Sequence, residues 1–259
     1  MTPGIRSTGA LAAIISIAAG APASAQEPAP APAPAPAPEP PSDAGPTPPP
    51  VRLSDERTST RWANAVARGR VYTKPSARAR RVGRLRLLTE DGYPEVYVLL
   101  ARRQDADGTK WIKLRVPQRP DNVTGWARRG ALGEFRLVHT RLVVNRRALR
   151  VTLFHRGRPR FRARVGVGAP ATPTPAGSFW IREKFHVAAS PLYGTRALGT
   201  AAYSNALTDW PGGGVVGLHG TGEPGLIPGR PSHGCIRLKN PDIERLYALT
   251  PIGTPLLIK

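Results

Sequence analysis

From residue 51 onward, apolar and polar residues alternate in short runs, the period of strands and not of helices. Residues 69–73, 81–85, 95–100 and 110–116 read as strands, separated by turn signals at Lys74-Pro75-Ser76, Asp91-Gly92 and Asp105-Ala106-Asp107-Gly108. Short strands at that spacing predict a small β-barrel over 51–135. After Gly125-Trp126 and Leu132-Gly133 a second set begins, at 141–145, 149–154 and 160–167. In the last of these, arginines occupy one face and Phe161, Ala163, Val165 and Val167 the other, as in a half-buried strand. Residues 169–177 form a proline-stiffened turn that leads into a short strand at 178–181. One helix stands near the end: Asn240 is placed to cap it, Pro241 suits its first turn, and Asp242 and Glu244 suit the positive end of its dipole. It stops by Thr250-Pro251, and 254–258 supply a last strand. The expected fold class is mainly β, with domains at 51–135 and 136–259 and a single helix before the final strand.

The first 50 residues carry a different pattern. Residues 1–25 hold one early positive charge, Arg6, then the apolar run 11–20, and close on Ala23-Ser24-Ala25. This is the pattern of a cleaved signal peptide, and the run is about half the ~20 residues a spanning helix needs. Residues 26–50 alternate proline and alanine, which excludes helix and sheet interior and predicts an extended, disordered polyproline-II linker. The expected location is therefore outside the cytoplasm: periplasm, cell wall or beyond.

That location changes the reading of the single cysteine, Cys235. Exported cysteines ordinarily pair as disulfides, and this one has no partner in the chain. Burial as a small apolar residue is the alternative, but Gly234, His233 and Arg237 beside it suit a reactive loop better than a dry core. Positive neighbours and a histidine favour the thiolate. Of the five histidines, His139, His155 and His186 lie in strand-like stretches, whereas His219 and His233 sit in glycine-rich turns. His219, 16 residues before the cysteine, is the candidate base, with a backbone carbonyl near Gly220 as the group that orients its ring. His233 is placed to line the site. A zinc site built from His219, His233 and Cys235 is a rival arrangement, which the adjacent Arg237 disfavours.

His219-Gly220-Thr221 followed by Ser232-His233-Gly234-Cys235-Ile236-Arg237 resembles the signature of the L,D-transpeptidase (YkuD-like) catalytic domain. Pro173-Thr174-Pro175-Ala176-Gly177 and Gly253-Thr254-Pro255 fit the same family, so the resemblance spans about 136–259. It implies a peptidoglycan enzyme in which Cys235 is the nucleophile and His219 the acid/base. Gly220, Ser232, His233, Gly234 and Arg237 would then shape the substrate and oxyanion pocket, with no metal and no cofactor. The partners implied are peptidoglycan stem peptides, joined 3→3 through a cysteinyl acyl-enzyme, and carbapenem β-lactams are the expected inhibitors. Hydrolysis or D-amino-acid exchange would use the same acyl-enzyme, and a wall-binding protein with a decayed enzyme domain is a further alternative. In the segment before it, Val71 with Pro75, Asp107-Gly108 before Trp111, and Gly125-Trp126-Ala127 resemble a bacterial SH3-like domain over about 62–133. That implies a wall-positioning module separable from a catalytic unit at 136–259.

Lys and Arg number 38 against 17 Asp and Glu, a net charge of +21, with +10 in 51–135 and +13 in 136–259. Such a field recruits polyanions. For an exported chain these are anionic wall polymers or a membrane surface, and not nucleic acid.

Overall fold

The structure is a computed structural model that describes residues 49–259 except 191 and 209–212; the expected signal peptide and the linker up to residue 48 lie outside the described residues. The first sheet comprises β1 (Val51–Arg52), β2 (Thr60–Asn64), β3 (Gly69–Tyr72), β4 (Arg81–Leu85), β5 (Val96–Gln104), β6 (Lys110–Arg115), β7 (Thr124–Arg128) and β8 (Arg136–Val138). Its strands run antiparallel in the order β4-β3-β7-β6-β5-β2-β8, with β1 paired to β5. The second sheet comprises β9 (Thr140–Asn145), β10 (Arg150–His155), β11 (Arg158–Arg164), β12 (Gly166–Gly168), β13 (Gly177–Ser190), β14 (Gly194–Tyr203), β15 (Val215–His219), β16 (Gly229–Ser232), β17 (Ile236–Arg237) and β18 (Pro255–Ile258). Its order is β11-β10-β9-β18-β13-β14-β15-β17-β12-β16, and α1 (Asn240–Leu249) is the one α-helix among the described residues. The mainly β fold with one late helix is the expected one.

Three local expectations change. The strand read at 160–167 is two, β11 and β12, because the chain leaves β10 after Arg164 and crosses to pair with β16 and β17. The strand read at 178–181 is the start of a long hairpin, β13–β14, whose register shifts between Ile181 and Glu183 and between His186 and Ser190. Asn240 does not cap α1. The cap position falls to Lys239, and the Asn240 Oδ1 instead accepts a hydrogen bond from the Thr221 amide at 3.1 Å.

The two sheets are not independent bodies. The apolar interior of the second sheet, including Leu142, Phe179, Trp180 and Ile181, is continuous with Trp62, Val96 and Val98 of β2 and β5. The Trp180 indole N–H donates to the Val96 carbonyl at 2.8 Å. A Cβ at Gly253 would meet the Trp62 ring at 2.2 Å, so a glycine there is what lets the tryptophan seat. Strand β8, expected to open the second domain, pairs with β2 of the first sheet. Beside this core lies a buried ion network: Arg182 of β13 (1% exposed) reaches Glu95 (0%) at 2.9 Å and Glu90 at 2.9 Å, and Arg86 reaches Glu95 at 2.8 Å. The Tyr203 hydroxyl of β14 donates to Glu90 at 2.6 Å. Burial works to raise the Glu90 carboxyl, but Arg182, the Tyr203 hydroxyl and Arg86 hold it at about 2. Charges so enclosed are tolerated when each is met by an opposite one, and here the opposite charges come from different sheets.

Candidate active site

The site is built where β15 and β17 run parallel, with Leu218 beside Ile236 and His219 beside Arg237. Side chains two apart on a strand share a face. The chain position of Cys235, immediately before β17, therefore sets it on the face of Arg237 and His219, diagonal to the histidine. Gly217 stands across from it and adds no side chain, which leaves room for the thiol. Cys235 is partly exposed and, with His219, Ser232, His233 and Arg237, lines a cavity of about 160 Å³. A thiol that lines a cavity is placed differently from one packed wholly within a core.

His219 is 3% exposed, and its Nδ1 lies 2.7 Å from the Gly220 carbonyl oxygen. A carbonyl accepts only, so the proton is on Nδ1 and Nε2 carries the lone pair a general base needs. Burial lowers the His219 pKa to about 4; the Gly220 hydrogen bond opposes this and the Arg237 charge adds to it. Burial also raises the Cys235 thiol, against a backbone hydrogen bond from Gly217 and the Arg237 charge, which favour the thiolate. Burial thus disfavours the charged form of each partner. The positive neighbour expected to favour the thiolate does so, and burial acts in the opposite direction. Gly220, expected in the substrate pocket, acts through its carbonyl on His219.

The remaining expected residues have distinct places. Ser232 is buried; its hydroxyl donates to the Cys235 carbonyl at 2.5 Å and accepts from the Gly234 amide at 3.2 Å, so it shapes the nucleophile turn. Gly234 has φ +131°, a conformation L side chains rarely adopt, and its amide is turned back onto Ser232 and not outward as an oxyanion donor. His233 is exposed and borders the cavity. Arg237 is buried and pairs with Glu223 at 3.1 Å. His139, His155 and His186 lie elsewhere: His139 bonds the Thr58 carbonyl, His155 packs edge-on to it, and His186 packs on Tyr247. Among the described residues, no group of three His, Cys, Asp or Glu side chains is placed to hold a metal ion.

Four further residues join the site. Thr174, between two prolines, accepts from the Gly168 amide and donates to the Gly234 carbonyl, both at 2.8 Å, fixing the nucleophile turn from behind. Asn240 holds the Thr221 amide, and its Oδ1 occupies the space a Cβ on Gly220 or Gly194 would need. Tyr193 lies edge-on to the His219 ring, centroids 5.0 Å apart, and lines the cavity. Arg119 comes from the loop between β6 and β7. Its guanidinium donates to the carbonyls of Ser204 at 2.9 Å and Gly213 at 2.8 Å, reaches that of Leu207 at 3.4 Å, and lies over the Tyr203 ring. Ser204, Leu207 and Gly214 form a wall of the cavity, so the first sheet fixes part of the site. Arg119→Ala should lower kcat/KM by about tenfold, the scale of one or two charged hydrogen bonds, mainly through KM. Arg119→Lys, which lacks the fork, should recover little of it. Steady-state kinetics checks this, and an unchanged KM in Arg119→Ala would refute it.

Residues 139–258 match the family model described as the L,D-transpeptidase catalytic domain, YkuD. The chain is similar to the putative L,D-transpeptidase YkuD of Bacillus subtilis (strain 168), 32% identical over 94 residues, covering 36% of this chain and 50% of that protein. It is also similar to the putative L,D-transpeptidase YqjB of the same organism, 30% identical over 102 residues, covering 36% of this chain and 56% of that one. The chain thus spans about half the length of the curated relatives it matches. Among solved structures it is similar to the catalytic domain of the Enterococcus faecium L,D-transpeptidase, with 25% identity, a TM-score of 0.35, and coverage of 46% of this chain and 96% of that one. Family model and curated relatives agree on a YkuD-like L,D-transpeptidase catalytic domain in this segment.

Proposed function

We propose that this protein is an exported peptidoglycan L,D-transpeptidase that forms 3→3 cross-links. The observation that carries the reading is Cys235 and His219 on one face of β15 and β17, with Nε2 of a carbonyl-oriented histidine left as proton acceptor at a cavity open to substrate. In the first step the Cys235 sulfur attacks the carbonyl of the third residue of a stem tetrapeptide while His219 Nε2 takes the thiol proton. The oxyanion that forms calls for backbone N–H donors of the nucleophile turn other than that of Gly234, which Ser232 occupies. Collapse breaks the bond to the terminal D-alanine, whose amine leaves with the proton from His219. An amine of a neighbouring stem then attacks the thioester, passes its proton to His219, and the sulfur departs and is reprotonated. The signal-peptide pattern of residues 1–25 supports a site of action outside the cytoplasm. The SH3-like resemblance supports a positioning role for the first sheet on the wall.

Incubation of the purified protein with disaccharide-tetrapeptides, followed by mass spectrometry, tests the proposal. A 3→3-linked dimer is expected. Tripeptide monomer alone would make the enzyme a carboxypeptidase, and unchanged substrate would remove the peptidoglycan reading. A carbapenem should add one drug mass to the intact protein through its single thiol.

A further inference from the structure

The cations of the first sheet are not evenly spread. A groove of about 670 Å³, to which Cys235 and His219 contribute nothing, lies between the segments 67–72, 108–110 and 128–131. Arg68, Arg70, Lys110, Arg128 and Arg129 line it, together with Tyr72, and no acidic side chain does. Of the two acids of the adjoining turn, Asp105 accepts from the Trp111 indole N–H at 2.6 Å, and Asp107 accepts from the Thr109 amide at 2.9 Å and also feels the Arg128 charge. Two of the cations are braced by their surroundings. Arg129 bonds the Leu132 carbonyl and lies over the Phe135 ring, and Arg128 lies over Trp111. Five cations border one concavity, and a multivalent anion would offset their mutual repulsion.

We infer that this groove is a binding site for a linear phosphodiester polymer of the cell envelope, an inference that rests on the exported location proposed above. Arginine forks match phosphate oxygens bidentately, and a groove suits a chain lying along it better than it suits the plane of a membrane. Occupancy would hold the enzyme on the wall while the cavity at Cys235 stays open.

The control is provided by β11, where Arg158, Arg160, Arg162 and Arg164 are exposed and outside the groove. Binding of the full chain to fluorescent poly(glycerol phosphate) would be measured for the wild type and two variants of equal net charge. One is Arg68→Gln/Arg70→Gln/Lys110→Gln/Arg128→Gln; the other carries Gln at the four β11 positions. The groove variant should lose about tenfold or more in affinity and the β11 variant less than about threefold, with wild-type binding weakening as salt rises. Equal losses in both variants would mean that net charge alone binds the polymer, and would overturn the assignment. So would binding to phosphatidylglycerol vesicles, but not to the polymer, that depends on the groove. Carbapenem acylation, followed by intact mass, should proceed at the wild-type rate in both variants. Failure of acylation in the wild type would count against the transpeptidase reading, while loss of polymer discrimination counts against the groove.

Discussion

Cys235→Ala is expected to leave neither acyl-enzyme nor cross-linked product, and His219→Ala to lower kcat/KM by about 100-fold or more, the usual scale for a lost general base. The pH profile separates this reading from a pre-formed ion pair. Catalysis needs His219 neutral, and its pKa is lowered by burial to about 4. The acid limb of kcat/KM should therefore fall near pH 4, not near the ~6.5 of an unperturbed imidazole. Stability follows the same group with a definite sign. Between about pH 6.5 and 4 the unfolded chain binds a proton at this histidine that the folded chain does not, so stability falls as pH drops through that window. On the alkaline side, burial raises the Cys235 thiol, and the Gly217 backbone and Arg237 oppose that rise. An acid limb near 6.5, or near-normal turnover by His219→Ala, would refute the assignment of the base.

The cysteine and histidine proposed as nucleophile and base could be picked out from the sequence because their information is local. A lone cysteine and a histidine, each in a glycine-rich turn, are what a reactive loop requires, and the structure brings both to one cavity. Three other features were not local. β14 reads Gly-Thr-Arg-Ala-Leu-Gly-Thr-Ala-Ala-Tyr, rich in alanine and glycine; it is partly exposed at Thr195, Arg196 and Ala197 and buried at every position from Leu198 onward, so it has no alternation to detect. Asn240 stands where a capping residue belongs, yet its side chain is taken by the amide of Thr221, 19 residues back. The charge states of Cys235 and His219 depend on enclosure by segments far apart in sequence, which neighbouring residues cannot report. Trp62, Val96 and Val98 alternate as the inner face of a self-contained barrel would, but they pack against the second sheet. Periodicity tells which face is apolar and not what covers it.

The shared core argues against residues 136–259 acting alone. The isolated segment 136–259 is expected to be unstable and to form no carbapenem adduct, whereas residues 51–259 should melt as one cooperative unit and react. Cutting before Arg136 removes Glu90 and Glu95 and leaves Arg182, 1% exposed in the intact protein, without either carboxylate. Removing one partner of a buried pair costs about 3–5 kcal/mol where the other stays buried, and water reaching the uncovered Arg182 would offset part of that here. A domain's whole stability is about 5–15 kcal/mol. The same cut takes Trp62, Val96 and Val98 from the apolar core and the acceptor from the Trp180 indole, losses that come in addition to the ion network. Arg119 goes as well, releasing the carbonyls of Ser204 and Gly213 beside the cavity. Glu95→Gln in the intact chain isolates the electrostatic part: it should lower the melting temperature while leaving acylation by carbapenem measurable below the transition. The decisive comparison is thermal unfolding and intact-mass acylation of 136–259 beside 51–259. If 136–259 unfolds cooperatively and acylates at the rate of the longer chain, the first sheet is an appendage, and its ion network and shared core have no part in building the active site.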